Sequence, residues 1–485
     1  MKKTVLYFSR SYLTTLMPQL AAQGDDFINL HIVQTNKEER QVIAAGGTVV
    51  LNLEKLGREA LSNPDTPEWS EPADMRAVTG FNWSPLYADR YLPTYGTQTR
   101  DRLAGALQTA LEDIFDTHPI AGVVTEPVAL FPTHYMLYLC LTRNAVPLFW
   151  ANTYFPNHFY FVSDVHIMHP RRAKPLEGDE LEAVKQDVTQ YVERVAADKA
   201  GPAYHHQFAT KQQGKFNYFN QRQGKDALIL TPGPVAKLLQ LARVGRVMGY
   251  RALFPRKGDY MTAGAVGEHR FYMRNLMTPR RRYDPPTDEF ASGNIFFPLQ
   301  YEPEASLLYA APDSQNQAAL VESMLKSMPQ GHVLWVKEHP NQFGVLGHGV
   351  WQKLRKRYSN LRLVYGRENG RHLIQRCGVA VSITSTAGMD ALILGRTCLV
   401  LGDVFFKDFP GAKSLDGMNA LANALNDPGN YLQSADLLEG GHVRQIAPLV
   451  AFAANCYSGD PQPAPELYTP QNLSFLYKAI QAELA

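Results

Sequence analysis

Residues 379–401 constrain the fold more than any other stretch. Positions 379–384 are mainly apolar and β-branched, 387–394 have helix-forming composition, and 397–401 is a second buried strand. Gly395 stands where a glycine ends a helix. A strand, tight turn, helix and strand in so few residues is the repeating unit of a parallel sheet covered by helices. Ser385 and Thr386 then lie at a helix N-terminus, where unpaired N–H groups and the dipole favour an anion. An earlier strand, 332–337, runs into Lys337-Glu338-His339-Pro340. A basic residue at a neighbouring strand end would complete a phosphate site.

The same alternation runs through both halves. Strands are expected at 4–8, 28–33, 48–53, 122–125 and 147–150, with helices at 99–115 and 131–142. A charged amphipathic helix at 179–199 leads into a polar, glutamine-rich stretch at 205–225. Strands at 227–230, 295–298, 332–337, 361–365, 379–384 and 397–401 then alternate with helices at 235–250, 315–327, 350–357, 372–377 and 418–426. The expected class is α/β. Two Rossmann-like domains, 1–220 and 221–485, face a central cleft, and a helix at 470–484 closes the chain. Sites in such sheets lie at the C-terminal ends of the strands.

A chain of 485 residues is too long for one core. Its net charge of +2 gives no field that argues for nucleic acid. The N-terminal run 4–8 breaks at Ser9-Arg10 and reads as a core strand rather than a signal peptide. No apolar stretch approaches the ~20 residues of a membrane helix. Cys140, Cys377, Cys398 and Cys456 have no CxxC spacing and read as buried thiols. Arg171-Arg172-Ala173-Lys174 and Arg280-Arg281-Arg282 are local basic runs. Solvated loops are the ordinary explanation, and contact with an anionic surface the functional one.

Three segments of the second half can converge. Pro298-Leu299-Gln300-Tyr301-Glu302-Pro303-Glu304 leaves one strand with two carboxylates, His339 ends a second, and Ser385-Thr386 follows a third. Asp390, one turn into the helix, is suited to ribose hydroxyls. Glu126 ends a strand of the first half and would face the cleft from the other side. This set suits glycosyl transfer. His339 and the helix end would stabilise a departing phosphate. A carboxylate would act as base on the acceptor or as nucleophile on the anomeric carbon. No DxD pair lies near, so no divalent ion is expected. Simpler explanations exist: Ser-Thr before a helix is usually a cap, and His-Pro recurs at His169-Pro170. His166 and His169 lack a metal-site context, His205-His206 is expected in solvent, and the aromatic run 154–161 is expected to be packing.

At these residues the chain resembles the bacterial capsular-polysaccharide synthesis family, which includes the retaining β-Kdo transferases. That family shows P-L-Q-x-E-x-D, then K-x-H-P, then S-x-x-G-x-E-A-L and L-G. The counterparts here span 296–406: Pro298 to Glu304, Lys337-Glu338-His339-Pro340, Ser385-Thr386-Ala387-Gly388-Met389-Asp390-Ala391-Leu392, and Leu401-Gly402. The resemblance implies a GT-B glycosyltransferase with a CMP-activated 2-keto sugar acid, CMP-Kdo, as donor and no required cofactor. By it, His339, Ser385 and Thr386 contact the CMP phosphate and Asp390 the ribose, with Gln300, Lys337, Pro340 and Gly388 in the same donor-binding set. Glu304 takes the position of the nucleophile, as Glu in place of Asp, and Glu302 competes with it. Bacterial sialyltransferases share the His-Pro and Ser-Ser/Thr signals, which keeps an inverting enzyme open. A CDP-alditol-dependent glycerol- or ribitol-phosphate transferase is a further alternative, needing a second histidine such as His134 or His158. The implied partners are a nucleotide-sugar donor and a glycan or lipid-linked oligosaccharide acceptor. The implied location is the cytoplasm, peripheral to the inner membrane through Arg280-Arg281-Arg282.

Overall fold

The computed structural model describes residues 2–155, 157–162, 167–197, 234–254, 261, 277–302, 304–339, 342, 344–366, 368–427, 440–461 and 467–485. The chain divides into two units, one of residues 1–175, 240–270 and 455–485, the other of 176–239 and 271–454. The expected strand at 227–230 and the glutamine-rich stretch lie outside the described residues.

The first unit is built on β1 (Lys3–Ser9), β2 (Phe27–Val33), β3 (Thr48–Asn52), β4 (Ile120–Thr125), β5 (Val146–Asn152), β6 (His158–Val162) and β13 (Tyr457–Ser458). Their order is β13-β6-β5-β4-β1-β2-β3. β1 to β5 pair in parallel, while β6 runs antiparallel to both β5 and β13. The second sheet holds β7 (Ala291–Pro298), β8 (Val333–Lys337), β9 (Leu361–Val364), β10 (Cys377–Ser382), β11 (Thr397–Val400) and β12 (Ala412–Ser414). It is parallel throughout, in the order β12-β11-β10-β7-β8-β9. Its central strands are buried over their C-terminal parts, Asn294–Pro298 in β7, Leu334–Lys337 in β8 and Val379–Ser382 in β10, as a sheet covered on both faces requires. Both units are thus Rossmann-like, as the alternation implies.

A single boundary at residue 220 does not describe this division. Helix Gly178–Ala196 packs on helices Gly441–Ala453 and Thr386–Ile393 of the second unit. Its buried residues Val184, Val188, Tyr191, Val192 and Val195 form one stripe that needs such cover. Helix Pro470–Leu484 returns to the first unit, where Leu473, Leu476, Ile480 and Leu484 join the core of Val5, Tyr7, Leu16 and Leu148. The approach is close: a Cβ on Gly122 would stand 2.9 Å from the Leu484 side chain. The aromatic run is packing, with Phe159 and Phe161 inside this core. All four cysteines are free and buried.

Candidate functional site

In the second sheet the chain runs β7, β8, β9 outward in one direction. It then crosses back to β10 on the other side of β7 and continues to β11 and β12. The order reverses between β7 and β10, and the crevice beyond the strand ends at such a reversal is where open α/β sheets bind ligands. Pro298 pairs with Lys337, and Phe296 with Ala380. The segments leaving β7, β8 and β10 therefore start from neighbouring points of one edge. β8 and β10 stand two strand spacings apart, about 10 Å. Gln300, His339 and Ser385 come from these three segments.

The turn after β10 is built largely from its own atoms. The Ser382 hydroxyl accepts from the Ser385 N–H at 3.1 Å, and the Ser385 hydroxyl caps the helix by accepting from the Ala387 N–H at 3.2 Å. The Gln300 amide, oriented with its oxygen toward the turn, accepts from Thr384 N–H at 3.1 Å and Ser385 N–H at 2.6 Å. Gln300 is 5% exposed. Expected as a ligand contact, it ties β7 to the turn after β10 across the reversal. The N–H groups of Thr384, Ser385 and Ala387 are thereby occupied. Left facing outward are the exposed Thr386 with its N–H and hydroxyl, and the half-buried Ser385 hydroxyl, whose proton remains to be donated. Gly388 allows the close packing of this turn. A Cβ there would meet both Ser382 and Phe406 at 2.9 Å.

Two glutamines that sequence reasoning passed over hold the β7 segment. Gln317, 2% exposed, accepts from Gln300 N–H at 2.7 Å, donates to its carbonyl at 3.2 Å and donates to the Glu302 carboxylate. Gln342 accepts from Glu302 N–H at 3.0 Å and donates to its carbonyl at 2.6 Å, while its own N–H bonds the His339 carbonyl at 3.0 Å. The β7 and β8 segments are thus joined. Glu302 keeps an exposed surface, yet partial desolvation raises its carboxyl above the ordinary range, with the Gln317 bond pulling the other way. Glu304 stands at the N-cap position of helix Ala305–Ala310, and its side chain does not cap it.

The Lys337-Glu338-His339 segment splits its roles. Lys337 is buried and donates to the Gly366 carbonyl at 2.7 Å, so its ammonium is engaged inside the unit. Glu338 is fully buried. Its carboxylate accepts from Gly344 N–H (2.9 Å), Leu346 N–H (3.3 Å), Gly366 N–H (3.2 Å) and the Tyr283 hydroxyl (3.2 Å). Burial outweighs these bonds and pushes the carboxyl up to about 7. His339 is half-buried, its ring edge-on to Tyr301 at 6.0 Å. Pro340 lies outside the described residues.

Asp390, expected at the ribose, has a protein partner. It forms a buried ion pair with Arg371, 3.3 Å between Oδ2 and Nε, with the two side chains 12% and 6% exposed. Leaving one member unpaired in such a setting is costly, so this carboxylate is first a structural group. Arg371 carried no signal in the sequence, because the pairing needs helix Gly370–Arg376 laid against helix Thr386–Ile393.

Glu126 belongs to the first unit, at the reversal of its sheet between β1 and β4. It is ion-paired with Arg10, which follows β1, and accepts from the Tyr12 hydroxyl at 3.4 Å. His134 and His158 are 1% and 7% exposed. Burial lowers His134 to about 3, and its ring abuts Phe81 at 4.9 Å. Both histidines are thus enclosed in the first unit. In the arginine run, Arg280 pairs with Glu368 and covers the Tyr365 ring, and Arg282 donates to Gly347 and meets His348. Two of its three charges are therefore engaged within the unit. Among the described residues no cluster of three His, Cys, Asp or Glu side chains is placed for a metal. No helix among them is long and apolar enough to cross a membrane.

Residues 283–447 match the model of the family described as capsule polysaccharide biosynthesis protein. That region lies wholly within the second unit and contains the site. Among curated proteins none matches the sequence. Similar solved structures include a Thermosulfurimonas dismutans KpsC described as a beta Kdo 2,7 transferase, at 12% identity over 77% of this chain and 88% of that one, with a TM-score of 0.32. The corresponding beta Kdo 2,4 transferase has 11% identity over 70% and 82%, with a TM-score of 0.34. A Methanocaldococcus jannaschii UDP-GlcNAc 2-epimerase has 11% identity over 93% and 100%, with a TM-score of 0.28. Likeness at this level carries no argument about chemistry.

Proposed function

We propose that this chain is a glycosyltransferase of bacterial surface-polysaccharide synthesis, taking a CMP-activated 2-keto sugar acid, CMP-Kdo, as donor. One observation carries the proposal. At the reversal of the second sheet, inside the region that matches the capsule family, an internally bonded turn presents Ser385 and Thr386 as outward donors, with His339 on the opposite flank. Such fixed donors suit the phosphate of a nucleotide monophosphate, whose charge grows as the sugar departs. His339 as a cation would add to that stabilisation.

In this reading Glu304, with Glu302 as its competitor, attacks the anomeric carbon as CMP leaves. An acceptor hydroxyl then displaces the carboxylate, and the configuration is retained. The acceptor is a glycan or a lipid-linked oligosaccharide at the cytoplasmic face of the membrane. The decisive measurement is thermal stabilisation by CMP, CDP, UDP, GDP and CDP-glycerol. A ligand at ~100 times its dissociation constant stabilises by about 2.7 kcal/mol. CMP is expected to raise the melting temperature of the wild type and not of Thr386→Val. Stabilisation by UDP or CDP-glycerol but not CMP would show that the donor is wrong. For the chemistry, His339→Ala and Glu304→Gln are each expected to lower turnover of CMP-Kdo at least a hundredfold. Full activity in Glu304→Gln with loss in Glu302→Gln would transfer the nucleophile's role to Glu302.

A further inference from the structure

Helix Pro234–Leu253 has a surface that the donor site does not explain. Val235, Leu238, Leu239, Tyr250, Leu253 and the following Phe254 are each between 61% and 75% exposed. They are six of the sixteen exposed large apolar residues among the described residues, so the helix concentrates what is elsewhere scattered singly. At about 100° per residue, Val235, Leu238, Leu239, Tyr250 and Leu253 fall on one face. The rings of Tyr250 and Phe254 lie 5.0 Å apart at its end. Val244, on the opposite side of the helix, is fully buried. The helix therefore satisfies its packing on one side and carries a second apolar stripe on the other.

Charge says what covers that stripe. Residues 234–257 contain six Lys and Arg and no Asp or Glu. Arg243 and Arg246 are exposed on or beside the apolar face. A second copy packed on this face by a two-fold axis would bring this basic segment against its own counterpart, which supplies no Asp or Glu of its own. An anionic bilayer satisfies both features at once: the apolar side chains enter the acyl boundary and the arginines meet headgroup phosphates. We infer that helix Pro234–Leu253 is an interfacial helix that seats the protein on an anionic membrane surface. This docking is independent of the donor chemistry, and its test needs no turnover.

The experiment is flotation of the full chain with vesicles of phosphatidylcholine alone or of phosphatidylcholine with phosphatidylglycerol. The wild type is expected to float with the anionic vesicles only, and less at high salt. Leu238→Ser with Leu253→Ser should weaken binding on the order of tenfold or more at unchanged melting temperature. Arg243→Gln and Arg246→Gln should each weaken it roughly fivefold. Arg281→Gln, outside the helix, should leave it unchanged. Absence of flotation with anionic vesicles overturns the inference. So does flotation that survives the leucine changes. A leucine variant that shifts from dimer to monomer while its vesicle binding is intact would instead give the face to a second copy.

Discussion

Glu338 shows how much a single buried side chain sets at this site. Its four donors come from Tyr283, from Gly344 and Leu346, and from Gly366, so one carboxylate gathers three segments around the strand end that presents His339. The fit is tight enough that a Cβ on Gly366 would stand 2.9 Å from the Glu338 side chain. In Glu338→Gln the amide NH2 must face at least one of these donors. A loss of about 1–3 kcal/mol is expected, read by denaturant unfolding. The acid also has a pH signature. Its ordinary value is 4.5 and burial raises it to about 7. Between those values the folded chain holds a proton that the unfolded chain has released. Stability from this group is therefore full below about 4.5 and lost as pH rises through 7. Glu338→Gln should flatten the melting temperature over that window. An unchanged slope would mean that the carboxyl ionises normally.

At the scale of elements, the turn between β10 and helix Thr386–Ile393 depends on close approach. Gly388→Ala puts a methyl group 2.9 Å from Ser382 and from Phe406, so the helix must move away from the strand. Loss of about 1–3 kcal/mol and of CMP-induced stabilisation is expected together, since the displaced helix carries Thr386 with it. If the variant melts earlier but CMP still stabilises it fully, the nucleotide does not rest on this helix end. Gln317→Ala is the complementary test on the β7 side. It frees the segment holding Gln300, Glu302 and Glu304, and should lower turnover more than CMP affinity.

For the whole molecule, the return of helix Pro470–Leu484 to the first unit makes the chain's last residues part of its first core. Leu476→Ala should cost about 2–5 kcal/mol and appear in the unfolding of the first unit. Donor binding by the second unit should then persist, observed as CMP stabilisation of the transition that remains. Simultaneous loss of both would mean that the units do not unfold separately. The alternating pattern of apolar runs determined the α/β class, ten of the thirteen strands of the two sheets but not β6, β12 or β13, and the strand–turn–helix around Ser385, because those signals are local and periodic. The C-terminal destination of the last helix, the Arg371–Asp390 pair, the Gln300 bridge and the burial of Glu338 were decided only by the tertiary structure. Each depends on separate segments brought together by the fold, and polar side chains carry no periodicity to announce their partners. A glutamine reads alike in solvent and across the reversal of a sheet; only the neighbouring strands decide which it is.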